Sequence, residues 1–147
     1  MPAKKKITIK KKDERTAPKV EVRPAPRKNA KISKAQKFQL DLIARTNFNF
    51  FNGKKIVELL KENRKIWRSV YLPLSSISLR DLENDSWHAD TLYIYVEDGW
   101  QFSLEELVRE QFEADEIHWI GSSSAVDMLG TTEVINKSQV ILSIWWD

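Results

Sequence analysis

Asp90–Ile120, DTLYIYVEDGWQFSLEELVREQFEADEIHWI, decides the fold. Leu92-Tyr93-Ile94-Tyr95-Val96 is an unbroken aliphatic and aromatic run, the composition of a largely buried strand. Asp98-Gly99 ends it, because this pair takes turn geometries at little steric cost. Ser103 stands three residues before Glu106, the spacing of a capping box in which side chain and amide bond reciprocally. Leu104, Leu107, Val108 and Phe112 then fall on one helical face, with Glu105, Glu106, Arg109, Glu110 and Glu113 on the other. Ile117-His118-Trp119-Ile120 is a second short strand, closed by Gly121. Strand, helix and strand of these lengths predict a βαβ-type unit over about 92–120, its strands parallel.

Downstream, Gly121-Ser122-Ser123-Ser124 follows a strand and opens a short helix over Ala125, Val126, Met128 and Leu129. Gly130 is placed to cap that helix. Residues 139–146 form the final strand. Val140, Leu142, Ile144 and Trp146 alternate with Ile141, Ser143 and Trp145, so both faces are largely apolar and the strand is expected to be central.

Upstream, Ser33 and Gln36 repeat the capping-box spacing ahead of Phe38, Leu40, Leu42 and Ile43. Asn52 is placed to cap a second helix, along which Ile56, Leu59, Leu60, Asn63, Ile66, Trp67 and Val70 keep helical spacing. A helical hairpin over about 34–71 follows, stopped by Pro73. A shorter second helix with a strand at 66–72 is the alternative. Lys54, Lys55, Lys61, Arg64, Lys65 and Arg68 invite a helix-turn-helix comparison, but Glu58 and Glu62 share that helix, and a plain hairpin packed on the sheet is the simpler expectation.

Together these elements predict a small layered α/β domain over residues 33–147, an α+β arrangement of the same elements being the alternative. Ahead of it, residues 1–32 hold four of the five prolines and none of the 15 aromatics. Such a segment buries too little apolar area to offset its ordering entropy, so a disordered basic tail is expected. The charge is strongly divided. Residues 1–37 carry 14 Lys/Arg and three acids, a net +11, while residues 38–147 carry 10 Lys/Arg and 18 acids, a net −8.

The absence of cysteine excludes disulfides, thiolate nucleophiles and cysteine-ligated metal centres. No apolar run approaches the ~20 residues of a membrane span. The N-terminal lysines precede no apolar stretch, so no secretory signal is read and a cytoplasmic protein is expected. A calcium loop starting at Asp81 would require Gly and Glu where Ser86 and Leu92 stand. His88 and His118 are the only histidines, and neither a zinc-protease nor a nucleophile-elbow motif occurs. No catalytic residue, metal or cofactor is therefore assigned.

What remains is a non-enzymatic binding protein. Lys4, Lys5, Lys6, Lys10, Lys11 and Lys12 are adjacent and unopposed, fit to contact nucleic acid or another polyanion through counterion release. The acidic body is expected to repel nucleic acid and to dock a protein partner. Trp67, Trp119 and Trp146 sit on apolar patterns and belong to the core, leaving Trp87, Trp100 and Trp145 as candidate interface aromatics. The first alternative is an interaction adaptor with no nucleic-acid role. The second is a small-ligand sensor or enzyme using Gly121, Ser122, Ser123 and Ser124 as an anion or ligand loop, since helix N-termini attract anions.

Overall fold

The computed structural model describes residues 31–74 and 77–147. All but the last two residues of the expected tail, and with them its six candidate lysines, lie outside that range. The described chain is an α+β fold. Helix α1 (Lys34–Arg45) is followed by a two-residue-strand hairpin, β1 (Asn47–Phe48) and β2 (Phe51–Asn52), then by α2 (Gly53–Glu62). A 3-10 turn at Arg64–Ile66 leads into β3 (Trp67–Tyr71), and α3 (Leu79–Glu83) precedes β4 (Thr91–Val96). Helix α4 (Gln101–Gln111), β5 (Glu116–Ile120), α5 (Ser122–Leu129) and β6 (Ile141–Trp145) complete it.

The two upstream caps form where the sequence places them. Ser33 Oγ accepts from the Gln36 amide at 3.1 Å, and Asn52 Oδ1 from the Lys55 amide at 3.2 Å. The second helix, however, stops at Glu62, and residues 67–71 are a strand. Ile66, Trp67 and Val70 satisfy both periodicities, and pairing with β4 settles the matter in favour of the strand. At the start of α2, Gly53 lies hard against α1. A Cβ there would fall 1.8 Å from the Ile43 carbonyl oxygen and 2.6 Å from that of Thr46, so this close approach admits no side chain.

The expected Ser103 capping box does not form. Helix α4 begins three residues earlier than that cap implies, at Gln101, with Trp100 at the cap position and no side-chain cap. The turn after β4 leads straight into the helix: the Trp100 amide donates to Glu97 O and the Leu104 amide to Trp100 O, each at 3.0 Å. Ser103 is thus a residue of the first turns, not the residue before them.

The four main strands lie in the order β3-β4-β6-β5, and every neighbouring pair is antiparallel. β4 and β5 both run antiparallel to β6, so they share a direction, as a βαβ-type unit requires. They are not neighbours, however. The last strand inserts between them, with Tyr93 opposite Ser143 and Ser143 opposite His118, giving a split βαβ. The expected parallel pairing is thereby replaced, and the expected central position of the last strand is realised.

One sheet face carries Trp67, Val70, Leu92, Ile94, Val96, Leu142, Ile144 and Trp146, all buried against α1, α2 and α4. Phe112 and Val108 lie in this core, while Leu107 is only partly buried at its margin. On the other face a smaller cluster of Ala125, Val134, Val140 and Ile141 seats α5, with Tyr93, Tyr95 and Ile120 against it. Gly130 closes α5 in the left-handed conformation, φ 65°, as its position after the last apolar residue predicts. No helix of the described residues is long and apolar enough to cross a membrane.

Candidate binding site on the open sheet face

Residues paired across neighbouring strands stand on the same face of a sheet. The registers therefore write out the second face in rows. Tyr71, Tyr93, Ser143 and His118 form one row, and Ser69, Tyr95, Ile141 and Ile120 the next. Thr91, Trp145 and Glu116 form a third. Helix α5 covers the Ile141 end; in the first row Tyr71 is 51% exposed and His118 is exposed at the far edge, while Tyr93 is half-buried and Ser143 is buried. All three tyrosines of the chain thus project from this one face.

Tyr71 and Tyr93 stack across strands with centroids 6.3 Å apart and ring planes 14° from parallel. Beside them the β3–β4 register shifts between Trp67 and Ser69, a bulge that leaves Arg68 out of the ladder. Arg68 uses that freedom to reach Tyr95. Its Nη1 donates to the Tyr95 hydroxyl at 2.7 Å and its guanidinium lies 4.6 Å from the ring centroid. Ser69, the three tyrosines, Met128 and Leu129 line most of a half-open hollow of about 110 Å³ between sheet and helix. Only one acid, Glu116, occupies a strand position on any strand of this sheet.

On the opposite side of the sheet, α4 carries three glutamates and one arginine. Glu105, Glu106, Arg109 and Glu110 of α4 flank Phe102, which is 65% exposed, around a shallow hollow of about 370 Å³. The Trp119 indole N–H donates 2.8 Å to Glu105 Oε2, and this bond, with that of Arg109 at 2.9 Å, holds the Glu105 carboxyl below its ordinary pKa. Elsewhere Asp98, 2.9 Å from Lys137 Nζ, raises the pKa of that ammonium.

The cations of residues 38–147 are mostly engaged. Arg45, Lys55, Arg80, Arg109 and Lys137 meet Asp41, Glu113, Asp81, Glu105 and Asp98. Arg64, Lys65 and Arg68 lie over the rings of Trp67, Trp100 and Tyr95. These make eight of the ten, and exposed Lys54 and Lys61 complete the set. The basic series that invited a helix-turn-helix comparison is therefore split between α2, the 3-10 turn and the sheet bulge, and its last three members sit on aromatic faces.

The other sequence-derived sites are dispersed. Ser122, Ser123 and Ser124 open α5 and are exposed, but the loop is closed onto the chain at 137–138. The Ser122 amide donates 2.7 Å to Lys137 O, and a Cβ on Gly121 would come within 2.5 Å of the Lys137 and Ser138 carbonyl oxygens. Of the three candidate interface tryptophans, Trp100 is buried at 6% exposure and its ring carries Lys65. It belongs to the core because the turn at 97–100 folds it under α4. Trp87 is half-buried, its indole N–H donating 3.1 Å to Thr46 Oγ1, and Trp145 is half-buried on the open face between Thr91 and Glu116. Of the expected core tryptophans, Trp67 and Trp146 are fully buried and Trp119 is half-buried. The tyrosine face was missed by sequence reasoning, although the alternation of Tyr93 and Tyr95 at i, i+2 signals a shared side. No family model, no curated protein and no solved structure matches this chain.

Proposed function

We propose that the chain is a non-enzymatic binding protein whose basic N-terminal segment contacts nucleic acid or another polyanion while its acidic body docks a protein partner. The observation that carries this is the division of charge: +11 over residues 1–37 and −8 over residues 38–147. Eight of the ten cations of the body are engaged with carboxylates or rings, which supports assigning the polyanion contact to the segment before it. Lys4, Lys5, Lys6, Lys10, Lys11 and Lys12 are its main contributors, and they act through counterion release without reading sequence. For the protein partner, Phe102 among Glu105, Glu106, Arg109 and Glu110 offers an exposed aromatic anchor whose rim holds three carboxylates against one guanidinium, which suits a basic surface.

The test is capture from native lysate on the full chain and on a variant with all six lysines changed to Gln. Nucleic acid is expected on the former and not on the latter. Equal recovery on both, or none on either, contradicts the proposal. Protein retained by both variants after nuclease treatment, with no nucleic acid on either, supports the second function, an interaction adaptor. The exposed Phe102 favours that second function independently of the tail.

A further inference from the structure

We infer that the open sheet face around Tyr71 and Tyr93 is a stacking platform for unpaired bases of single-stranded nucleic acid. This deepens the proposed nucleic-acid role and gives the body a part in it: the tail supplies affinity for phosphates, and the face supplies a preference for strands with accessible bases.

Three features of the face fit this ligand. Stacking needs aromatic surface left open on one side, and Tyr71 is 51% exposed with Tyr93 parallel to it at 14°. Every base has a π-face, so such a platform works without hydrogen-bond readout. Tyr71 and Tyr93 sit side by side on neighbouring strands, with buried Ser143 next in the row, so the platform is the tyrosine pair itself. Beside it, the bulge at β3 brings Arg68 to Tyr95, where its Nη1 donates to the hydroxyl and its guanidinium fixes the ring at the edge of the platform.

Charge supports the same occupant. Seven acids, Asp41, Glu58, Glu62, Glu105, Glu106, Glu110 and Glu113, lie on or beside α1, α2 and α4, which pack on the other side of the sheet, and no acid among the described residues lines the hollow beside the tyrosines. Glu116 is the one acid at a strand position. The face therefore offers rings and an arginine, and the described chain begins at residue 31 after a segment rich in lysine, which brings phosphate-binding groups to the same molecule. A duplex hides its base faces and gains nothing from the platform, so the inference is specific to single strands.

The test compares two labelled probes of equal length and charge, a thymidine oligonucleotide and the same backbone made abasic, by fluorescence anisotropy with the full chain. The wild type is expected to bind the base-bearing strand more tightly than the abasic one. Tyr71→Ala should weaken binding of the base-bearing strand by about tenfold and leave the abasic strand unchanged. Tyr71→Phe, which keeps the ring, should restore the preference, and because Tyr71 is half-exposed both variants are expected to fold. Equal affinity of the wild type for the two strands overturns the inference, as does equal weakening of both by Tyr71→Ala. Failure of the tail assignment looks different. There the six-lysine Gln variant would bind as tightly as the wild type, with the base preference intact. Binding of neither strand by the wild type overturns both.

Discussion

Gln36 of α1 pairs with Val70 of β3 through both ends of its side-chain amide. Nε2 donates to Val70 O at 2.9 Å, and Oε1 accepts from Val70 N at 2.9 Å. The side chain thus imitates a neighbouring strand along the outer edge of β3. Gln39 continues the pattern, its Oε1 accepting from the Leu72 amide at 3.1 Å. An edge strand invites unwanted pairing, and here two glutamines of a packed helix occupy it. Gln36→Ala leaves a buried donor and a buried acceptor unpaired, which should cost about 1–3 kcal/mol for each group. Urea denaturation measures this, and a cost below ~0.5 kcal/mol would show that water replaces the amide freely.

Gly53 is the tightest point of the helical hairpin, with the Ile43 carbonyl oxygen 1.8 Å from where a Cβ would stand. Gly53→Ala should exceed the ~1–3 kcal/mol usual for overpacking, because the clashing atoms are backbone and cannot rotate away. Thermal melting compares it with Gly121→Ala, whose clash with the Lys137 and Ser138 carbonyl oxygens, at 2.5 Å, is less severe. The Gly53 variant is predicted to be the less stable of the two.

Phe112 is 1% exposed at the end of α4, and its carbonyl accepts the Trp146 indole N–H at 3.1 Å. Phe112→Ala should cost about 3–5 kcal/mol in chemical denaturation. Leu107→Ala should cost less, since Leu107 lies at the margin of the core. A reversed order would mean that α4 is rotated about its axis.

Glu105 gives a pH signature. The Trp119 indole and Arg109 hold its carboxyl below the ordinary value. A depressed folded pKa contributes stability that is fully present above the unfolded pKa, near 4.3, and is lost as pH falls through the folded pKa. The melting advantage of wild type over Glu105→Gln should therefore be greatest above about pH 5 and shrink as pH falls below about 4. An advantage that does not change with pH would assign it to packing.

These contacts mark where the sequence was legible. Ser33 and Asn52 cap helices because the capping bond is local, within three residues. The spacing of Leu104, Val108 and Phe112 declared the buried face of α4. The mixed apolar faces of residues 139–146 declared a central strand. Other features depend on distant partners. Nothing within 92–120 says that β6 will insert between β4 and β5, because a strand's neighbours are chosen by the whole sheet. Trp67 and Val70 fit a helix as well as a strand until β4 is present to pair with them. Ser103 and Glu106 have the spacing of a cap but lose that role to the turn at Glu97–Trp100. The tyrosine face needs Tyr71, which helical spacing alone places at the end of a helix.

Fluorescence anisotropy against a labelled single-stranded oligonucleotide, repeated over a series of salt concentrations, tests the polyanion contact most directly. If about five cations of the N-terminal segment neutralise phosphates, log K against log salt should have a slope of roughly −3.5 to −4.5. Changing Lys4, Lys5, Lys6, Lys10, Lys11 and Lys12 to Gln should flatten that slope and nearly abolish binding. Absence of binding by the full chain at about 50 mM salt, where polyanion contacts are strong, would contradict it, as would an unchanged slope in the six-lysine variant.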